Sequence, residues 1–238
     1  MVSLTVGDEQ IKGSVVVAKA DAEDEAKLLP GAEFSLMKDD TVVAQGTTND
    51  EGTLSFTDVA FGDYTLVETK APEGYVLDAT PMPVQIREHG AEVKITVKDQ
   101  KIKGTVLITK ADAQHQGKTL SGAEFELKQG DKVVAQGTTG ADGTLVFTNV
   151  VYGNYELVET KAPEGYELNQ KPVAVKVEEN GTVIKLEVKN TPKPTVVTPP
   201  ISILPKTGDT AGSVVSILCT SAVLTALAWV LRKKREQM

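Results

Sequence analysis

From residue 11 to residue 190 the chain is built of short runs in which apolar and polar residues alternate. Val15 and Val17 share one parity, as do Tyr64 and Leu66, and Val93, Ile95 and Val97. A period of two is the mark of a strand with one buried face. The runs are rich in Val, Ile, Thr, Tyr and Phe. Turn signals separate them: Asp50-Glu51-Gly52, Phe61-Gly62-Asp63 and His89-Gly90, then Asp142-Gly143, Gly153-Asn154 and Asn180-Gly181. No helical period competes in this region. The pattern predicts an all-β body, with roughly seven strands per unit stacked as a β-sandwich.

The pattern occurs twice. Val-Glu-Thr-Lys-Ala-Pro-Glu-Gly-Tyr stands at 67–75 and again at 158–166, an offset of 91. Without a gap, 45 of the 81 pairs between 19–99 and 110–190 are identical. The chain therefore holds two tandem copies of one domain, each large enough for its own core. The expected domains are 9–100 and 101–190. The same offset sets Asp8 under Asp99 and Val6 under Val97. Residues 1–8 thus read as the remnant of the last strand of a preceding repeat, within a C-terminal fragment of a longer protein; an accidental overlap is the alternative.

The alternation carries polar groups inward. If the apolar parity faces the core, Lys19, Glu68 and Asp99 continue it in the first repeat. Lys110, Glu159 and Asn190 do so in the second. A buried Lys and a buried Glu are costly unless they meet partners. Strand ends reaching water would explain one such residue. Three per repeat, in both repeats, favour a meeting.

Past residue 190 the pattern changes. Residues 191–203 contain four prolines, which makes an extended, stiff spacer. Residues 211–231 carry no charge, and as a helix they would span about 30 Å, the thickness of a hydrocarbon core. Arg232, Lys233, Lys234 and Arg235 follow directly. By the positive-inside rule this is one transmembrane helix with its C-terminus in the cytoplasm and the body outside.

Composition narrows the function. The 238 residues carry 33 acids against 25 Lys and Arg, a formal charge of −8. That excludes the basic footprint of a nucleic-acid binder. The charge is divided: residues 1–207 carry 31 acids and 21 bases, residues 208–238 two acids and four bases. One Cys, Cys219, and two His, His89 and His115, leave no disulfide framework, no metal site and no Ser-His relay. No cofactor is expected, and the chain does not read as a turnover enzyme. Both His lie in polar, turn-like stretches and are expected to be solvated.

Leu204-Pro205-Lys206-Thr207-Gly208, followed by the apolar span and the basic tail, resembles the cell-wall sorting signal of Gram-positive surface proteins. The resemblance implies a sortase as partner. It cuts between Thr207 and Gly208 and joins the Thr207 carboxyl to a peptidoglycan amine. The membrane then holds only the precursor, and residues 191–203 cross the wall.

The body carries a second resemblance. Lys-Ala-Asp on the first strand, Leu-x-Gly-Ala-Glu-Phe, Glu-Thr-Lys-Ala-Pro-Glu-Gly-Tyr and a terminal Val-Lys-Asn resemble the Cna B-type or SpaA-like domains, prealbumin-like β-sandwiches that stiffen stalks and pili. The resemblance implies a self-formed isopeptide bond between Lys110 and Asn190 with Glu159 as acid/base helper. In the first repeat it implies one between Lys19 and Asp99 helped by Glu68, with Asp99 in place of the commoner Asn. Pro72, Gly74 and Tyr75, with Pro163, Gly165 and Tyr166, are expected to shape a turn with the Tyr packed over it. The implied protein is a wall-anchored extracellular stalk presenting an upstream adhesive region. Alternatives are a minor or basal pilin, joined to other pilins, or an adhesin for host matrix proteins.

Overall fold

The computed structural model describes residues 7–195. The LPKTG segment, the apolar span, the basic tail and most of the proline-rich stretch lie outside the described residues. What is described is all-β, two successive domains of matching topology.

The first domain holds eight strands. One sheet contains β1 (Lys12–Asp21), β2 (Asp24–Leu28), β5 (Thr53–Ala60) and β8 (Glu92–Asp99). The other contains β3 (Glu33–Lys38), β4 (Thr41–Thr47), β6 (Gly62–Lys70) and β7 (Met82–Ile86), in the order β4-β3-β6-β7. Val15, Val17, Phe56 and Val97 of the first sheet meet Phe34, Leu36, Leu66 and Ile86 of the second in one buried cluster. These are the inward parities of the alternating runs.

The second domain repeats this with β9 (Lys103–Asp112), β12 (Thr144–Val151) and β15 (Val183–Asn190) facing β10 (Glu124–Gln129), β11 (Lys132–Thr138), β13 (Gly153–Lys161) and β14 (Val173–Val177). It lacks a counterpart of β2. There, Gly117 at φ +81 stands where the first repeat has Ala26, and only an isolated bridge, Ala111 to Thr119, remains. A residue in the left-handed region breaks the extended run. The expected count of seven strands fits the second repeat, and the first has eight.

The decisive pairing is parallel. β8 runs beside β1, with Lys19 opposite Val97 and Asp21 opposite Asp99; β15 runs beside β9, with Lys110 opposite Val188 and Asp112 opposite Asn190. First and last strands thus end at the same pole of the sandwich. Everything else in each domain lies between them in sequence.

Candidate functional site

At that pole, β9 and β15 bring Lys110 and Asn190 inward from one sheet, and β13 brings Glu159 from the other. All three are buried. Lys110 Nζ lies 3.1 Å from Glu159 Oε1 and 5.5 Å from the centre of the Phe125 ring. Burial pushes the Lys110 amine below its usual range, although Glu159 pulls the other way. A share of neutral amine, the nucleophilic form, follows.

Glu159 reaches the acceptor as well. Asn190 Nδ2 donates to Glu159 Oε2 at 2.9 Å and to the Glu167 carbonyl at 2.6 Å. The backbone N–H of Asn169 also donates to Glu159 Oε2, at 2.9 Å. The Glu167 carbonyl can only accept, so it fixes which end of the Asn190 amide faces the carboxylate. One carboxyl group therefore bridges the amine and the amide nitrogen.

In the first repeat β1, β8 and β6 bring Lys19, Asp99 and Glu68 together, all sealed from solvent. Lys19 Nζ is 2.9 Å from Glu68 Oε1 and in direct contact with Asp99 Oδ1, below the Phe34 ring. Burial raises Glu68 to about 7; Lys19 opposes the rise and the Asp99 charge adds to it. Lys19 thus faces one carboxyl that keeps its proton near neutrality and one that pairs with it.

A buried acid next to each centre is absent from the expected set. Asp21 and Asp112 follow the lysines by two residues, on the same inward parity. Asp112 Oδ1 accepts the N–H of Gln114 at 2.8 Å, and Oδ2 accepts the Tyr166 hydroxyl at 2.8 Å, with His115 Nδ1 at 3.0 Å and Lys118 Nζ at 3.3 Å. Asp21 Oδ2 accepts the Tyr75 hydroxyl at 2.9 Å and pairs with Lys101 Nζ at 2.9 Å. Burial pushes Asp21 up, but Lys101, the Glu23 N–H and Tyr75 outweigh it and hold it at about 2. Asp112 is held lower by its donors, against the same burial. The tyrosines thus do more than pack: Tyr75 and Tyr166 close their turns and tie them to the first strand beside the lysine. His115 is mostly exposed yet holds Asp112, so it is not simply solvated. The signal was available in the Lys-x-Asp spacing.

The family comparison matches the SpaA prealbumin-like fold domain at residues 13–101 and again at 104–192. The chain belongs to that family. The Bacillus anthracis TIE protein is 36% identical, with a TM-score of 0.71 over 76% of this chain and 34% of that one. The chain thus spans about a third of that relative's length. The C-terminal fragment of the pilus adhesin SpaC from Lactobacillus rhamnosus GG shares the fold, at 19% identity and TM-score 0.52, covering 79% of this chain and 99% of the fragment. A Streptococcal ancillary pilin aligns at 25% identity and TM-score 0.38, over 79% and 64% of the two chains. Comparison with curated proteins gives no match.

Proposed function

We propose that these SpaA domains form a load-bearing stalk of a Gram-positive surface protein, each closed by one isopeptide bond between its first and last strands. The carrying observation is the sealed Lys–Glu–Asx cluster that both repeats place where those strands end together. In the second repeat neutral Lys110 Nζ attacks Cγ of Asn190. The new N–Cγ bond forms, the Cγ–Nδ2 bond breaks and ammonia leaves. Glu159 touches both nitrogens, so it takes the proton from Nζ and delivers it to Nδ2. In the first repeat neutral Lys19 Nζ attacks Cγ of Asp99: the new N–Cγ bond forms, one Cγ–O bond breaks, and that oxygen leaves as water with one proton from Nζ and one from Glu68, which its raised pKa retains. Each reaction occurs once, as maturation.

The LPKTG segment, residues 204–208, supports attachment: a sortase joins Thr207 to peptidoglycan after the 211–231 span has held the precursor in the membrane. Force is then carried from the wall through the parallel pairs β15·β9 and β8·β1, whose cross-links bypass the residues between them. Pulling single molecules from both ends tests this. A stalk shows no extension from the 79 residues between each lysine and its acceptor, about 270 Å per repeat at full stretch. Extension by that length in either repeat contradicts the reading.

A further inference from the structure

The two repeats meet in a built joint. Ile102 N–H donates to the Gly74 carbonyl at 2.8 Å, and Val76 N–H donates to the Gln100 carbonyl at 2.9 Å. The Tyr152 ring lies on Gly74, where a Cβ would stand 3.1 Å from it, and its hydroxyl donates to Glu73 Oε1 at 2.8 Å. Gly74 is at φ +83, so both conformation and space call for glycine there. Lys101 Nζ contacts Glu23 at 3.0 Å, and Lys103 Nζ pairs with the same carboxylate. A crevice of about 300 Å³ marks the seam. The second repeat lines it with Lys103, Gly104, Thr105, Asn149, Asn180 and Gly181, and Glu23, Gln100 and Lys101 close it.

The first repeat carries the same socket without its plug. Moving 91 residues back, Lys12, Gly13, Ser14, Asp58, His89 and Gly90 line a crevice of about 270 Å³ that no acidic loop closes among the described residues. The backbone is set identically: Phe61 N–H donates to the Ile11 carbonyl as Tyr152 N–H does to that of Ile102, and Gly90 N–H donates to the Lys12 carbonyl as Gly181 N–H does to that of Lys103. Phe61, at the Tyr152 position, is 50% exposed, and Ile11, at the Ile102 position, is 38% exposed. Among the described residues Lys12 pairs only with Asp58, at 3.7 Å.

The geometry points to this pole of the first repeat, Ile11, Lys12 and Phe61 around the open crevice, as a socket for the Pro-Glu-Gly-Tyr pole of another domain of this family, joined ahead of Glu9. The match of residues 3–8 to the last strand 94–99 gives such a domain its entry path. The plug needs a glycine under Phe61 and an acid, at the Glu23 position, for Lys12. A second copy of this chain does not supply them. Its second repeat has Gln114 at the Glu23 position, and its Gly165 carbonyl already accepts Lys193 N–H at 2.8 Å.

The test places residues 13–99 ahead of Glu9 in the full chain, replacing 1–8, and follows amide hydrogen exchange site by site. In the unextended chain the Ile102 amide is expected to be protected and the Ile11 amide to exchange freely. In the extended chain Ile11 is expected to slow by about tenfold or more. F61A with K12E is expected to return it to fast exchange while the core amides of all three repeats stay protected. An unchanged Ile11 rate in the extended chain overturns the assignment. So does concentration-dependent protection of Ile11 in the unextended chain, which would make the occupant a second copy.

Discussion

Glu159 and Asn190 are joined by a hydrogen bond from Nδ2 to Oε2, 2.9 Å long, on the nitrogen that must leave if Asn190 is to acylate Lys110. The other oxygen of the same carboxyl group is 3.1 Å from Lys110 Nζ. The first proposed role of Glu159 is therefore to carry a proton between two nitrogens, not to polarise the amide oxygen.

Replacing Glu159 by Gln removes the carrier and keeps the shape. The second repeat of E159Q should retain its full mass, with no ammonia lost, while the first repeat is unaffected. Removing one partner of a buried pair costs about 3–5 kcal/mol. Urea unfolding of E159Q should report a loss of that size in addition to the missing bond.

Asp99 and Asn190 differ only in what leaves. D99N should convert the product lost from the first repeat from water to ammonia. Both routes end in the same isopeptide, so the closed 13–101 peptides of D99N and of the parent chain should have equal mass, while an open D99N peptide is heavier by one ammonia. A D99N first repeat that remains open would place the obstacle elsewhere in the Lys19–Glu68 pair.

Two carboxyl groups give opposite pH signatures. Asp21 is depressed to about 2, so its contribution is complete above its unfolded value of about 3.9 and is lost as pH falls toward 2. D21N should flatten the acid limb of the unfolding curve between those values. Glu68 is raised to about 7, so before closure it binds more protons folded than unfolded. Its contribution is complete below about 4.3 and is lost as pH rises through 7. In chain freshly made by cell-free synthesis, closure of the first repeat should slow above pH 7, because Glu68 then has no proton to deliver.

Closing a loop of this length by a cross-link is worth roughly 4–5 kcal/mol in the chain-entropy description. K19A and K110A should each lose about that much by chemical unfolding and become open to protease, each in its own repeat.

Strand alternation made the inward face readable. Val106 and Ile108 leave Lys110 no other side to occupy, and Tyr155 and Leu157 do the same for Glu159. Duplication helped, because any inward polar residue had to recur 91 positions on. What alternation does not encode is pairing between distant strands. The parallel register of β1 with β8 sets Asp21 beside Asp99, and nothing local to either strand shows it. Asp21 and Asp112 continue the inward parity of their lysines, and what the sequence hides is their partners, Tyr75 and Tyr166, 54 residues away. The Tyr152 contact with Gly74 joins two domains, so no single repeat contains the information. Where the first repeat has β2, the second differs at four of five residues and holds Gly117 at φ +81.

The most direct test is the intact mass of the full chain, followed by sequencing of the cross-linked peptides. The account predicts a mass below that of the sequence by one ammonia and one water, with Lys110 joined to Asn190 and Lys19 joined to Asp99. The full sequence mass would contradict it, leaving both clusters as buried ion pairs in an ordinary β-sandwich spacer.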